Sequence, residues 1–458
     1  MRKSIVIMCS ALAFVACGKS EPKPGAPDAA TPAPAADAAP PTPAGDVAAP
    51  AADAAKTPAP DAGAAPAADA AAAPAGDASA GETTEVVLWH SYRAGELEAF
   101  DKVVDTFNNS QKRVRIRSQA IPYDPFVDKV TITVPRGQGP DLFVFAHNMI
   151  GNWVEKGVLE PLSGKVDGEY LKQFLPESVK ALVYRKNLYG LPLAMKSLVM
   201  FYNKKLLPEA PTTMEELVEK VKPLQKPDER YGIVYQAGGL YFHAMWIHAF
   251  GGVIFDDNHV PAFDSPGHLA ALEYVRGLHM KEKVLPKGIS GFMVTSLFNE
   301  GNAAVVFNGP WFRAEIENVD YGMATIPTVQ GKTPKPMLGI EAVFVTKTST
   351  KKEAALEAAL YLAGADSARV RMNLGKQPVC QAAVLAEGAA ADPAMKVFMD
   401  QAQNAVLMDS SPEMQLLWTP GDTAISAGIF VEDRKPADEL KRAQAKMVGD
   451  IGKAEKPQ

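Results

Sequence analysis

Strand-like and helix-like apolar patterns alternate along the chain from about residue 85. EVVLWH is a short apolar run, RVRIRS alternates apolar and polar residues, and DLFVFAH is a continuous apolar run, so each predicts a strand. DPFVDKVTITV, between two of these runs, predicts a helix. The apolar residues of GELEAFDKVVDTFNNS recur at the spacing of one helical face: Leu97, Phe100, Val103, Val104 and Phe107. A β-α-β-α-β order of this kind indicates an α/β sheet.

A second set of patterns follows after Leu188. YGLPLAMKSLVMFYNKKLLP predicts extended segments that cross into another unit, TMEELVEKVKPL and HLAALEYVRGLHM have helical spacing, and AAVVFNG is a buried strand. An Asn-Gly-Pro turn ends that strand just before Trp311. Since residues 84–458 exceed the size of one core, we expect two α/β lobes, with the number of crossings between them left open.

The first residues have the pattern of a secretion signal. Arg2 and Lys3 precede an apolar run that ends at Val15, which is too short for a stable transmembrane helix. The run ends in FVAC, which resembles the lipobox of bacterial lipoproteins and implies acylation of Cys17, although Phe14 stands where that box usually has leucine. We expect a lipoprotein signal peptide over residues 1–16; an ordinary signal peptide cut further on is the alternative.

Residues 17–83 are built of Ala, Pro, Asp, Gly and Thr with almost no large apolar side chain. Such a segment cannot bury enough surface to offset its ordering entropy, so it predicts a disordered, lipid-anchored linker. Together with the signal it predicts a protein secreted across the cytoplasmic membrane, periplasmic or on the cell surface. Which membrane carries the anchor stays open.

Composition and motifs narrow the chemistry. The formal net charge of −6 argues against nucleic acid as a partner. No HExxH, GxSxG, P-loop or strand-borne GxGxxG motif is present, and His243 and His248 are off the i, i+4 spacing of a zinc pair. Absence of these motifs does not exclude an enzyme, but nothing in the chain nominates one; we expect a protein that is not an enzyme and has no metal or cofactor. Cys380 has no partner motif and is expected to be a small buried hydrophobe.

Three long stretches resemble one family. GQGPDLFVFAHNMIGNWVEKGVLEPL, YGLPLAMKSLVMFYNKKLLPEAPTTMEELVE and FNEGNAAVVFNGPWFRAEI are similar to bacterial extracellular solute-binding proteins of the maltose-binding type. The likeness spans nearly all of residues 86–448. It implies a two-lobed periplasmic-binding-protein fold, with residues 84–194 plus 343–385 as the first lobe and 195–342 plus 394–458 as the second. The ligand would lie in the cleft between them.

Sugars need flat rings for their C–H faces and planar polar groups for their hydroxyls. The residues at the family's aromatic contact positions are Phe145, Tyr241, Trp311 and Trp418. Trp311 by itself favours core packing, but the resemblance makes it a cleft wall. Trp89 and Trp153 lie in or beside apolar elements and are expected in the core.

The polar contact positions differ from those of the maltose binder, because this chain has Asn148, Lys196 and Asp422 where the family member has other groups. The loop WHSYRAGE resembles the binding loop of other carbohydrate and glycerol-phosphate binders. The further candidate contacts are Ser91, Tyr92, Arg93, Tyr123 and Glu341. Simpler roles remain open: the two tyrosines as surface packing, Arg93 paired with Glu96, and Lys196 as a solvated hinge charge.

The resemblance implies a monomeric substrate-binding lipoprotein that closes on a carbohydrate by hinge rotation and delivers it to an ABC permease. A binder of glycerol-phosphate or another small anionic solute is an alternative, and so is a ligand-binding sensor subunit. A lipid-anchored hydrolase is the least favoured. The sequence does not specify which sugar is bound.

Overall fold

The computed structural model of the protein describes residues 83–226 and 228–454, all of which belong to one compact unit. The predicted signal peptide, Cys17 and nearly all of the predicted linker lie outside the described residues. Within the described part of the chain, no helix combines the length and apolar character needed to cross a membrane.

Twelve strands lie in the described residues. They are β1 (Thr84–His90), β2 (Val114–Ala120), β3 (Leu142–Ala146), β4 (Val183–Tyr184), β5 (Asn187–Leu188), β6 (Gly190–Lys196), β7 (Val199–Asn203), β8 (Tyr231–Val234), β9 (Ala303–Asn308), β10 (Tyr321–Ala324), β11 (Met337–Val345) and β12 (Val406–Leu407).

The helices of the same part of the chain match each helical pattern read from the sequence. They are α1 (Ala94–Ser110), α2 (Tyr123–Thr133), α3 (Ile150–Glu155), α4 (Gly168–Leu171), α5 (Pro176–Lys180), α6 (Met214–Val221), α7 (Leu240–Ala249), α8 (Pro266–Met280), α9 (Gly291–Asn299), α10 (Pro310–Arg313), α11 (Lys352–Ala363), α12 (Ala365–Asn373), α13 (Ala382–Ala391), α14 (Pro393–Ala402), α15 (Trp418–Phe430) and α16 (Pro436–Ala454). Short 3-10 turns add residues 134–136, 147–149, 222–224 and 412–416.

The strands form two larger sheets and one small hairpin. The first sheet has the order β12-β11-β3-β1-β2, with β6 also paired to β11, and its strands β1, β2 and β3 are parallel. The second has the order β10-β7-β9-β8, in which β8 and β9 are parallel. The predicted α/β architecture is confirmed.

Each sheet has its own core. One cluster of buried apolar residues extends over β1, β2, β3, β6 and most of β11, and two further clusters extend over β7, β8 and β9. The chain leaves the first cluster between Met195 and Leu198, and it returns between Met337 and Leu338. These two cores correspond to the two lobes; the detailed lobe boundaries stay a prediction.

The core predictions for single residues are confirmed. Trp153 and Cys380 have no exposed surface and Trp89 is 6% exposed. Burial raises the pKa of the Cys380 thiol to about 12, so this cysteine is a neutral core side chain rather than a nucleophile.

The strand directions decide where loops meet. The parallel strands β1 and β3 end at one edge of the first sheet, and β8 and β9 end at one edge of the second. Loops at the carboxyl ends of parallel strands are the usual place for ligands in α/β sheets. The segments that follow these four strands are therefore the first places to look for site residues.

Candidate functional site

On the first lobe, one aromatic ring is open to solvent at the sheet edge. Tyr123 begins α2 and is 58% exposed. Its ring stacks on Phe145 at 5.2 Å, and Phe145 stacks in turn on Phe126 at 4.9 Å. Phe145 itself is only 5% exposed. The free aromatic surface here is thus that of Tyr123, with Phe145 as its support.

A buried charged network lies beside these rings. Lys196 Nζ is 2.6 Å from Glu96 Oε1 and 3.6 Å from Glu341 Oε2. Tyr92 donates its hydroxyl to Glu341 Oε2 at 2.6 Å, and Gln377 donates to Glu96 Oε1 at 3.0 Å. The side chain of Lys196 is 13% exposed. It is therefore a buried, paired cation, and the idea that it is a solvated hinge charge is wrong.

The network occupies the strands that connect the lobes. Lys196 is the last residue of β6, and Glu341 lies in β11 next to a β-bulge between Glu341 and Ala342. A bulge re-aims a side chain, which accounts for a carboxylate that points from a buried strand toward the lysine. Tyr92 is 5% exposed and packs within the first core, so its packing role and its hydrogen bond coexist.

The electrostatics of the network follow from two carboxylates that share one ammonium group. Although burial alone lowers the pKa of Lys196, the Glu341 and Glu96 carboxylates raise it above its ordinary value, so the lysine is charged. Burial raises the pKa of Glu341, and the attraction of Lys196 offsets only part of that shift. The pKa of Glu341 therefore stays above its ordinary value.

The second lobe presents aromatic rings. Trp311 follows β9, Tyr241 is in the first turn of α7, and Trp418 is the first residue of α15; each is partly buried. The Tyr241 and Trp311 rings are 6.3 Å apart at 46°. A side chain at Gly309 would place its Cβ 2.2 Å from the Trp311 ring, so only glycine lets the indole fold back on the turn.

Rings of the two lobes face one gap. Tyr241 donates its hydroxyl to the Lys196 carbonyl at 3.3 Å, which places this second-lobe ring against the charged network. Burial raises the pKa of Tyr241, and the nearby phenol of Tyr123 adds to that shift. The phenols of Tyr123 on the first lobe and Tyr241 on the second therefore lie near each other.

The remaining predicted contacts are divided between the two lobes. Ser91 is half-buried in the loop after β1. Asn148 lies in the 3-10 turn after β3, is 7% exposed, and accepts a hydrogen bond from Gln415 at its carbonyl. Asp422 is exposed one turn after Trp418 and accepts the Leu240 N–H at 2.6 Å.

Arg93 joins the rims of the lobes rather than pairing with Glu96. Its Nε lies 2.6 Å from Glu315 Oε1, and Thr295 donates to the other oxygen of Glu315 at 2.8 Å. The two lobes are also in close contact at this point: a Cβ on Gly95 would lie 3.2 Å from the Cβ of Ala314. The predicted alternative of an Arg93–Glu96 pair is wrong, since Glu96 binds Lys196 instead.

Sequence reasoning missed three polar members of the site: Glu96, Gln377 and Glu315. Glu96 lies in the quoted loop WHSYRAGE, so its position was visible but its partner was not. Gln377 and Glu315 carry no local signal, because they meet the first lobe's loop only through the fold.

The histidines of the described residues do not indicate a metal site. Across residues 83–226 and 228–454, no group of three or more His, Cys, Asp or Glu side chains is arranged to hold a metal ion. His243 is buried without a hydrogen-bond partner among the described residues, whereas His248 bonds to the Lys335 carbonyl.

Two α/β lobes with rings and polar groups around one gap define a two-lobed binding protein. Residues 92–369 match the family of bacterial extracellular solute-binding proteins. A maltotriose-binding protein of Pyrococcus abyssi is 30% identical over 372 residues, which cover 77% of this chain and 79% of the relative. The chain belongs to the bacterial extracellular solute-binding proteins, which are binding proteins and not enzymes.

Two further comparisons agree. A galactooligosaccharide-binding protein of Bacillus subtilis is 26% identical over 390 residues, with 80% of this chain and 90% of the relative covered. The solved structure of a Thermus thermophilus maltotriose-binding protein with maltotriose superimposes with a TM-score of 0.73 at 26% identity, covering 80% of this chain and all of that one. The maltose-binding type of fold is therefore confirmed.

Proposed function

We propose that the protein captures an oligosaccharide between its lobes and hands it to an ABC permease for import. The observation that carries the proposal is the exposed ring of Tyr123 near Tyr241, whose ring is paired with Trp311, together with the Glu341–Lys196 pair. Rings offer surface to the C–H faces of sugars, and fixed polar groups offer partners to hydroxyls. The relatives named above bind maltotriose and galactooligosaccharides, which supports a chain of sugars as the ligand class.

A neutral ligand is better supported than an anionic one. Both cations of the predicted contact set, Arg93 and Lys196, are already paired with carboxylates. Recruiting either of them to a phosphate would leave a carboxylate without its partner, which is costly for the buried pair. A polyhydroxyl ligand can instead donate to Glu341 and Asp422 and leave the ion pairs in place.

Capture would work by hinge closure about the segments where the chain crosses between the cores, residues 195–198 at the end of β6 and residues 337–338 at the start of β11. A ligand that contacts both lobes only when they are closed binds the closed arrangement more tightly than the open one. It therefore shifts the population toward the closed arrangement. In this proposal the lobes are residues 84–194 plus 343–385 and residues 195–342 plus 394–458. A lipid on Cys17 and the linker of residues 17–83 tether a monomer at the membrane, in the periplasm or on the cell surface.

The test is isothermal titration of the full-length protein in mild detergent with maltotriose, galactotriose and a panel of monosaccharides. We expect saturable binding of at least one oligosaccharide. Tyr123→Ala should weaken it by about tenfold or more, since a stacked ring contributes on the order of 1 kcal/mol beyond its buried area. Ile132→Ala is the matched control, because Ile132 is 53% exposed on the same helix. Absence of any sugar binding by a cooperatively melting protein would refute a carbohydrate ligand.

A further inference from the structure

The outermost strand of the first sheet carries a run of basic side chains. This strand is β2, which among the described strands pairs only with β1. Natural proteins charge, cover or pair an open strand edge, since it otherwise invites another chain. Residues 112–117 contain four cations and no carboxylate, and all four cations are exposed: Lys112, Arg113, Arg115 and Arg117.

A cation of the neighbouring helix extends this run. Trp89 of β1 lies in register with Gln119 of β2. Because alternate residues of a strand point to the same face, the face of Trp89 is also that of Arg115 and Arg117. Lys129 of α2 places its Nζ 4.6 Å from the centroid of the Trp89 ring, and thus on this same face. We call the five cations the basic strip: Lys112, Arg113, Arg115, Arg117 and Lys129.

The rest of the described body neutralises the basic strip only in part. Arg113 pairs with Glu357 and remains 78% exposed at its side chain, and Arg117 pairs with Glu85 and remains 54% exposed. The other three cations form no ion pair within 4.0 Å with the described residues. In a chain of formal net charge −6, the basic strip is therefore a local region of surplus positive charge.

The chain itself supplies an acidic segment next to the basic strip. Thr83, the first described residue, donates its hydroxyl to the Lys112 carbonyl at 2.8 Å, and the Thr84 N–H donates to the Arg113 carbonyl at 2.9 Å. The segment that precedes them, residues 57–82, is thus joined to the body at the start of the basic strip. It contains four carboxylates and no Lys, Arg or His: Asp61, Asp69, Asp77 and Glu82.

The acidic segment is long enough to reach the whole basic strip. Asp77 precedes Thr83 by six residues, which span at most about 20 Å of extended chain. The strand advances only about 13 Å from Arg113 to Arg117. Covalent attachment also holds the carboxylates near the strip at an effective concentration on the order of millimolar, whereas a separate anionic partner has to diffuse to it.

We propose that residues 57–82 lie along the basic strip and cover the open side of β2. Their charge and their point of attachment select them over an anionic membrane, because an acidic segment joined at this place repels such a surface from the strip. Exposed ion pairs are individually weak and are screened by salt, so the association weakens as ionic strength rises. The free spacer then shortens to residues 17–56 at low salt. The inference is independent of the bound solute.

The experiment is zero-length carbodiimide cross-linking of the dilute full-length protein in neutral detergent, mapped by mass spectrometry. The reagent joins a carboxylate to a lysine amine that it touches, so it reports direct contact. We expect cross-links from residues 57–82 to Lys112 and Lys129. Lys281 of the second lobe, 84% exposed, is the reference amine and should give about fivefold less or lower still. Raising NaCl from about 0.05 M to about 0.5 M should remove most of the difference.

Charge reversal tests the basic strip directly. Arg115→Glu combined with Arg117→Glu should lower cross-linking to Lys112 and Lys129 by about fivefold or more. The Lys396–Asp400 pair within α14 is the internal standard for the yield of the reagent. The matched control reverses two exposed cations of the second lobe, Lys281→Glu and Lys283→Glu, and should leave the cross-links as in the wild type. Thermal melting shows whether each variant folds, and Arg115→Glu alone carries the test if the double variant does not.

Three results would overturn the inference. One is cross-linking of residues 57–82 to the exposed lysines of both lobes in equal amounts, and another is a pattern that charge reversal of the basic strip leaves unchanged. The third concerns a membrane as the occupant and uses Cys17→Ser, which removes the predicted acylation site. Sedimentation of this chain with phosphatidylglycerol vesicles but not with phosphatidylcholine vesicles, lost on charge reversal and without cross-links to the strip, would assign the basic strip to an anionic membrane surface.

Discussion

On one side of the gap lies a buried network of Tyr92, Glu341 and Lys196, carried by the loop after β1 and by the strands that connect the lobes, whereas the second lobe contributes the partly exposed rings of Tyr241 and Trp418. Each polar group of this network already has a partner at a set distance. On the second lobe the rings border an open groove. The first half of the site is thus ordered before any ligand arrives, and the second half offers surface.

We expect the two kinds of group to contribute differently to ligand binding. Groups fixed by their own hydrogen bonds present donors and acceptors in one geometry, so they discriminate among hydroxyl arrangements at little ordering cost. Ring faces accept the C–H face of many sugars, so they supply affinity with less discrimination. We therefore expect changes in the buried network to affect folding and specificity, and changes to the exposed rings to affect affinity.

The largest effect should follow from removing the cation of the buried network. Lys196→Met leaves the Glu96 and Glu341 carboxylates without their buried partner, which should lower the free energy of unfolding by about 3–5 kcal/mol. Denaturant unfolding measures this loss. Lys204→Met is the control, because the exposed Lys204–Asp320 pair should contribute about 0–1 kcal/mol. Equal losses of unfolding free energy for the two variants would contradict the prediction that the buried network contributes more to stability than an exposed ion pair.

The junction of the lobes should be sensitive to acid through His147. Its Nδ1 accepts the Ile340 N–H at 2.9 Å and its Nε2 lies 3.0 Å from the Met408 carbonyl, so the ring is neutral with its proton on Nε2. Burial lowers the pKa of His147 from 6.5 to about 4. Protonation would set a second N–H against that of Ile340.

Because the folded-state pKa is depressed, the stabilisation is complete above pH 6.5 and is lost as the pH falls through about 4. We expect a loss of about 3 kcal/mol of unfolding free energy over that window from this group. Urea unfolding at a series of pH values measures it, and His147→Gln should flatten the curve. A wild-type curve as flat as that of the variant would show that the junction does not titrate.

A smaller effect, confined to affinity, is expected on the second lobe. Trp311→Ala removes one ring of the Tyr241–Trp311 pair and should weaken oligosaccharide binding by about tenfold. Its melting temperature should fall much less than that of Trp153→Ala, because Trp153 is fully buried and Trp311 is not. Tryptophan fluorescence titration and thermal melting measure the two quantities. A drop in stability as large as that of Trp153→Ala would make Trp311 a core residue.

The smallest effect is expected at the rim. Arg93 is 61% exposed in its pair with Glu315, and exposed ion pairs contribute about 0–1 kcal/mol. Arg93→Gln should therefore change affinity by no more than about fivefold, and less at high salt. Titrations at two salt concentrations measure this change. A much larger loss would make Arg93 a direct ligand contact and give the first lobe a second source of affinity.

The local elements and the two-lobed architecture could be predicted because their signals are local. The helical face of α1 and the apolar runs of β1 and β3 are complete within one segment of sequence. Aromatic candidates at strand and helix ends, such as Trp311 and Trp418, could also be predicted as ligand contacts, since a turn signal or a long shared motif marks each. These residues remain predicted contacts until a ligand is bound.

The partners of the polar groups could not be predicted in the same way. Glu96 has a charged neighbour in its own loop, Arg93, yet it binds Lys196, which lies 100 positions away. Arg93 in turn binds Glu315, 222 positions away. The loop that carries Arg93 and Glu96 has the same sequence pattern whether the two residues pair with each other or with distant partners. The pattern therefore does not predict which pairing forms.

The sequence by itself determined the elements, the family and the kinds of side chain available to a sugar, because periodicity, turn signals and motifs are properties of neighbouring residues. Only the tertiary structure decided that Lys196 is a buried partner of two carboxylates, that Phe145 supports Tyr123, and that α15 lines an open groove. The reason is physical: burial and pairing depend on which surfaces the two sheets and their crossing strands bring together, and the segments concerned are far apart in the chain.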